Sequence, residues 1–390
     1  MFLKAKIVFK NPKNSSLVIF DGESMVDLKN VLSKYNYFVL QNRTELIDTI
    51  YLSFRIINLF FKNYKGNIMS AYLISLLEII SPKVVFTFID NSFKFSEIAK
   101  SLEKKMKFMA LQQGARYDFK ENKYLYQKKI TDFNWNKIYF IPNLLCMGQF
   151  DINNYKRYNI KVGSFKKVGS LRLSNFLTQI KKKPINSFKK IYDIALISNV
   201  DAWDPRVDSE ILKKKISLLT KYCIRFSRKH DMRLVLALKR QSKSKKKILI
   251  ESFKREQEFY KNYLTTSEYN FILKRFHYKT NKFASYKLML KSKIIVATTS
   301  TLLRENLAIG GKILACNLTP GNLYNFPFDG ICSMKHCTYE DFEKRLLYIF
   351  SISKKNYFSQ LGKNRNYTVY YNENRSTIEM VKKELDLLLN

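Results

Sequence analysis

The chain has 390 residues, 46% hydrophobic and 15% aromatic, which excludes a disordered protein and suits two domains of ordinary size. Lys and Arg number 70 against 32 Asp and Glu, and the resulting net charge of +38 favours anionic partners. Lys, Asn, Ile, Phe and Tyr are all abundant, as AT-rich coding would produce, so the charge alone does not select nucleic acid.

In chain order, Ser16–Gly22 reads as a buried strand ending in a turn, Val26–Tyr35 as a helix and Tyr37–Leu40 as a second strand. From Leu46, residues Ile47, Ile50, Tyr51, Phe54, Ile57 and Phe61 recur at helical spacing with apolar neighbours on other faces, which predicts an internal helix. Ile68–Ile80 is a second apolar helix, stopped by Ser81-Pro82. Lys83–Ile89 has too few polar residues for a solvated face and suits the middle of a parallel sheet. A helix over Phe95–Lys105 and strands over Lys107–Gln112, Lys137–Ile141 and Lys161–Val168 continue the alternation. Lys181–Ser187, basic and containing Pro184, fits an interdomain linker.

After it the pattern restarts. Tyr192–Ser198 and Met232–Leu238 are strands around a long helix, Ser209–His230. Ile248–Leu264 reads as a charged surface helix, Phe271–Phe276 as a poorly defined strand and Phe283–Leu290 as a short helix. Strand Lys293–Ala297, helix Thr301–Ile309 and strand Gly311–Cys316 follow, and Ser376–Leu389 is helical at the end. Regular alternation implies α/β architecture with doubly wound sheets. The expected organisation is an acceptor-side domain over 1–183, a donor-binding domain over 188–375 and a C-terminal helix over 376–390. No secretory leader is visible at the start, and the longest uncharged apolar runs fall short of the roughly 18 residues a spanning helix needs.

The segment from Ser292 to Leu314 carries the strongest chemical signal. An apolar strand delivers Thr298, Thr299, Ser300 and Thr301 to a helix start, where backbone N–H groups and the helix dipole favour a phosphate. Arg304, four residues after Ser300, is placed for a charge-assisted bond to that phosphate. Glu305, four after Thr301, shares its helix face and suits the paired hydroxyls of a ribose. A simple capped helix is the competing use of these residues.

Other candidates lie at strand ends. Asp90, after strand Lys83–Ile89, is the first candidate for a base that takes an acceptor proton, with Asp21 and Glu23 next; a cap or turn role competes for Asp90. Gln113 and Gly114 are expected on the acceptor side, and Ser198 and Asn199 on the donor side. The aromatic loop Asn325–Gly330 is expected to pack or to close over a ligand. Five scattered cysteines lack CxxC spacing, which fits reduced thiols. Cys332, His336 and Cys337 lie close together without a second ligand pair, so no metal site is expected. Neither a P-loop nor a Gly-x-Gly-x-x-Gly fingerprint is present.

Glu305-Asn306-Leu307-Ala308-Ile309-Gly310 resembles the Glu-x-x-Ala-x-Gly helix in the donor-nucleotide segment of GT-B glycosyltransferases. Val168-Gly169-Ser170-Leu171-Arg172 is similar to a Val-Gly-x-x-Arg element of polysaccharide-assembly members, and Leu111-Gln112-Gln113-Gly114-Ala115 to a Gln-(His/Gln)-Gly loop of capsule transferases. As a whole the chain resembles bacterial surface-carbohydrate (capsule and lipopolysaccharide) transferases, some relatives of which use CMP-activated acidic sugars. That resemblance implies two Rossmann-like domains facing each other across a cleft and cytosolic transfer from a nucleotide-sugar. It implies a glycan or lipid-linked glycan acceptor, no cofactor beyond the substrate and no obligatory metal. A His-Pro pair common in CMP-sugar relatives is missing from Leu236–Ser242, where Lys239 and Arg240 stand as candidate donor-phosphate ligands.

Two other functions compete: a polyol-phosphate transferase of similar fold, and a non-enzymatic nucleic-acid binder. The first leans on histidines, of which the chain has 3, and the second lacks a nucleic-acid module. No nucleic-acid partner is therefore expected. A cytoplasmic protein is expected. Phe54, Ile57, Leu59, Phe60 and Phe61 beside Arg55, Lys62 and Lys65 would suit an anionic membrane surface and peripheral attachment to the inner membrane, but a core helix with a basic end is the preferred reading of this segment.

Overall fold

The computed structural model describes residues 5–43, 46–116, 138–157, 160–180, 184–200, 210–241, 247–319, 321–322 and 324–390. The chain divides into two compact units, one built from Met1–Gly114, Thr131–Asn175 and Tyr370–Asn390, the other from Ala115–Ile130 and Phe176–Val369. Residues 181–183 of the expected linker lie outside the described residues.

In the first unit, β1 (Lys6–Val8) pairs in parallel with β4 (Thr49–Tyr51) as a small ribbon. The main sheet comprises β2 (Leu17–Phe20), β3 (Tyr37–Leu40), β5 (Val84–Thr87), β6 (Lys107–Leu111), β7 (Tyr139–Cys146) and β8 (Ile160–Lys167). Its order is β3-β2-β5-β6-β7-β8, all parallel, so the winding reverses between β2 and β5. The wholly buried β2 and β5 explain why both read as unbroken apolar runs. The last helix, Thr377–Leu389, returns to this unit: Ile378, Val381 and Leu385 join Leu17, Ile19, Val84 and Phe86 in one core.

The second unit repeats the plan with β9 (Tyr192–Ile197), β10 (Leu234–Gln241), β11 (Phe276–Lys279), β12 (Ser292–Ala297), β13 (Lys312–Asn317) and β14 (Ser333–Lys335). The order β11-β10-β9-β12-β13-β14 is again parallel, with the reversal between β9 and β12. Asp193 pins the amino ends of three neighbouring strands. It accepts the Arg233 backbone N–H at 2.8 Å and lies 2.8 Å from Lys293 Nζ.

Three local expectations are corrected. The helix expected from Leu46 starts at Phe54, because Thr49–Tyr51 pairs as a strand and Ser53 caps the helix, its Oγ accepting the Ile56 N–H at 3.1 Å. Nor is that helix internal, since Ile56 is its one buried residue. The strand expected at Phe271–Phe276 is the end of a helix, Thr266–Leu273, set by a Thr265–Glu268 capping box, with β11 beginning at Phe276. The helix Lys247–Tyr263 is not simply a charged surface helix: Ser252, Glu256 and Tyr260, four residues apart, form a buried stripe.

Candidate functional site

In open α/β sheets, ligands bind beyond the carboxyl ends of the strands where the winding reverses. In the second unit those ends belong to β9 and β12, flanked by β10. Ser198 and Asn199 follow β9, Lys239 and Arg240 lie at the end of β10, and Thr298–Thr301 follow β12. The fold thus gathers seven expected donor-side residues, Ser198, Asn199, Lys239, Arg240, Thr299, Ser300 and Thr301, at one edge of the sheet.

The turn after β12 is braced. The Asn199 side-chain amide donates to the Thr299 carbonyl, linking the two strand ends. Ser300 is extended and caps the helix Thr301–Ala308, its Oγ accepting the Leu302 N–H at 3.1 Å. A capping hydroxyl accepts that bond and keeps its own proton to donate outward. Thr301 Oγ1 accepts the Ala115 N–H at 3.1 Å.

Arg304 and Glu305 sit deeper than a surface anion site would place them. Arg304 is buried and donates from Nη2 to the Arg116 carbonyl at 2.9 Å. Glu305 is buried, and its Oε1 accepts the Tyr286 hydroxyl at 3.0 Å. Gly310, at φ +85°, ends this helix in the left-handed region that favours glycine.

One carboxylate escaped the sequence reading. Glu256 is 0% exposed and binds both strand ends. Its Oε1 accepts Ser198 Oγ at 2.5 Å and the Lys239 N–H at 2.8 Å, and its Oε2 accepts the Arg240 N–H at 2.9 Å. Tyr260 donates to Ser198 Oγ at 2.8 Å. Burial pushes the Glu256 carboxyl above its ordinary value, while the Ser198, Lys239 and Arg240 donors pull it down. The signal that could have found it is the four-residue spacing Ser252, Glu256, Tyr260 inside a helix otherwise rich in charge.

The first unit shows the same logic where β2 and β5 part. Asp90 is 1% exposed, with Oδ1 accepting the Gln113 N–H at 3.1 Å and Oδ2 accepting the Tyr155 hydroxyl. A carboxylate engaged on both oxygens is built to hold the loop after β6. Gln112 holds that loop too, donating to the Gly114 carbonyl at 2.8 Å and accepting the Met147 N–H at 2.9 Å. After β2, Arg43 bridges Asp21 at 2.7 Å and Glu23 at 2.5 Å; Asp21 is buried, and the Glu23 side chain is about half exposed. Neither Tyr155 nor Arg43 was singled out in the sequence, since a lone Tyr or Arg between elements carries no pattern. In the loop Asn325–Gly330, Phe326 and Phe328 stack edge to face at 5.1 Å, so its aromatics pack on each other.

No protein-family model matches the chain, and no curated protein sequence does. Solved structures do match in fold. The UDP-GlcNAc 2-epimerase of Methanocaldococcus jannaschii, solved with UDP-GlcNAc and UDP, aligns over 95% of this chain and 99% of its own, at 11% identity and TM-score 0.50. The wall teichoic acid polymerase TagF aligns over 96% of this chain and 89% of its own, at 8% identity and TM-score 0.50. A variant of TagF reaches TM-score 0.53 at 8% identity, over 97% and 91% of the two chains. The architecture is therefore of GT-B type, two parallel-sheet α/β domains. At such identities the likeness is one of fold.

Proposed function

We propose that the chain is a glycosyltransferase that moves a sugar from a nucleotide-activated donor to a surface-glycan or lipid-linked glycan acceptor in bacteria. The observation that supports this reading is the gathering of hydroxyl, amide and cationic groups where β9 and β12 part. In this proposal Ser300, Thr301 and the helix end hold the donor phosphate, with the Lys239 and Arg240 side chains neutralising it. Ser198 and Asn199 shape the nucleotide side, and Glu305, through its helix, the ribose side. A CMP-linked acidic sugar is the proposed donor, although Lys239-Arg240 stands where CMP-sugar relatives carry His-Pro.

The reaction breaks the bond between the anomeric carbon and the donor phosphate oxygen, and an acceptor hydroxyl oxygen attacks that carbon. The hydroxyl proton goes to a carboxylate acting as general base. Asp90, which orders Gln113, and Glu23, whose side chain is accessible, are the first unit's candidates for acceptor-side work. Metal independence belongs to the proposal, so transfer persists in a chelator.

A polyol phosphate on a nucleotide would meet the same phosphate seat, and the TagF likeness, being one of fold, does not choose between them. A hydrolysis and transfer screen of CMP-, CDP-, UDP- and GDP-linked sugars against CDP-linked polyols tests the proposal. Turnover of a sugar donor supports it; turnover of polyol donors alone moves the chain to the second reading, and no turnover of any donor removes both.

A further inference from the structure

The helix Phe54–Asn63 and the ribbon beside it leave large apolar side chains in water. Phe54 is 88% exposed, Phe61 71% and Phe9 81%, with Ile57 and Ile68 also exposed. Side chains of this size on one helix are ordinarily turned inward, and a contiguous exposed set marks an interaction surface. These residues belong to one locality. Leu52 N–H donates to the Val8 carbonyl at 2.9 Å, and Ser53 Oγ donates to Asn11 Oδ1 at 2.5 Å, so the segment carrying Phe9 borders the start of the helix carrying Phe54. Phe54, Ile57 and Phe61 follow the three- and four-residue steps of one helix face, opposite the buried Ile56.

Charge selects the occupant. Arg55, Lys62 and Lys65 are exposed on and after this helix, and the sequence from Thr49 to Leu77 holds no acidic residue. Residues 1–20 add Lys4, Lys6, Lys10 and Lys13, again without an acid. Glu78 reaches the end of the helix, where it accepts from Asn63 Nδ2 at 2.8 Å, but the charged residues on the helix itself, Arg55 and Lys62, are cations. Exposed rings beside guanidinium and ammonium groups match the headgroup boundary of an anionic bilayer, where rings enter the acyl region and cations meet lipid phosphates. A second copy of the chain would bring the same cations against one another. Among the described residues no helix is long and apolar enough to cross a membrane, so the contact is with a surface.

We propose that the face formed by Phe9, Phe54, Ile57 and Phe61, with Arg55, Lys62 and Lys65, docks on a bilayer surface carrying anionic lipid. The inference is independent of sugar transfer. It deepens that proposal in one respect, since a lipid-anchored acceptor would be presented at this surface.

Sedimentation of the full chain with phosphatidylcholine vesicles, with and without phosphatidylglycerol, tests it. Wild type co-sediments with the anionic vesicles at low salt, and far less with neutral ones. Phe54→Ser with Phe61→Ser lowers the partition coefficient by about tenfold or more, because two buried rings are lost, and leaves thermal unfolding unchanged. Gln at Arg55, Lys62 and Lys65 lowers it by about tenfold or more at low salt and flattens the salt dependence. A wild type that stays in the supernatant overturns the proposal. So does equal binding by the Phe54/Phe61 variant, which would assign adhesion to general charge. Loss of a dimer in that variant, without vesicle binding by wild type, assigns the face to self-association instead.

Discussion

Glu256 and Ser198 are joined at 2.5 Å inside the second unit, and the same carboxylate takes the backbone N–H groups of Lys239 and Arg240. One buried side chain thus fixes the ends of β9 and β10 relative to each other. Glu256→Ala leaves two backbone donors and a hydroxyl without that acceptor and costs about 1–3 kcal/mol in a denaturant titration. Glu256→Gln, with one acceptor oxygen in place of two, loses part of the network and raises the KM for donor more than it lowers kcat. Unchanged stability and KM in both variants would remove Glu256 from this role.

Glu305 is expected to separate structure from function. Glu305→Ala withdraws the acceptor from the buried Tyr286 hydroxyl and destabilises the second unit by about 1–3 kcal/mol. Loss of transfer in that variant is therefore ambiguous, whereas Glu305→Gln keeps an acceptor for Tyr286. If Glu305 serves the ribose, Glu305→Gln unfolds near the wild-type temperature yet transfers poorly. Full transfer by Glu305→Gln would leave Glu305 a packing residue.

Asp193 supplies a pH signature. Burial pushes its carboxyl up, but hydrogen bonds from Arg233 and Lys293 outweigh this and bring it down from 3.8 to about 2. A depressed carboxylate stabilises the fold above its ordinary value and ceases to do so as pH falls through the folded value. Arg233 and Lys293 are about half exposed, which discounts the pair to ~1 kcal/mol. The stability difference between wild type and Asp193→Asn is therefore steady at neutral pH and disappears between pH 3.8 and about 2. A difference independent of pH across that window contradicts the ion pair.

Gly169 tests the return of the C-terminal segment to the first unit. Its φ of +86° disfavours any side chain, and a Cβ would lie 2.2 Å from the Tyr370 carbonyl oxygen. Gly169→Ala should cost about 1–3 kcal/mol, read from the urea midpoint. A shift within error would mean that the crossing at Tyr370 is not so close.

What was legible in the sequence follows from burial on both faces. Val84–Thr87 could be read as a central parallel strand, and Ile294–Ala297 as a strand, because no solvated face interrupts their apolar runs. The turn after β12 was legible because four hydroxyl residues between a strand and a helix exceed what one cap needs. Glu256 was not, because a buried carboxylate in a charged helix looks like its neighbours until the stripe with Ser252 and Tyr260 is noticed. The β1–β4 ribbon escaped because its strands are three residues each, and the apolar spacing from Ile47 to Phe61 runs through β4 and the helix alike. The burial of Arg304 and Glu305 depends on contacts with Arg116 and Tyr286, which no local pattern announces.

The central claim is that the turn from Thr298 to Thr301 seats the phosphate of a nucleotide. Calorimetric titration of wild type and Ser300→Ala with CMP, CDP, UDP and GDP, and with the matching nucleosides, addresses it directly. The account predicts that at least one nucleotide binds, that its nucleoside does not at the same concentration, and that Ser300→Ala weakens binding about tenfold through the lost hydroxyl donor. Binding of nucleosides as tight as that of nucleotides, or no binding of any of them, would contradict it.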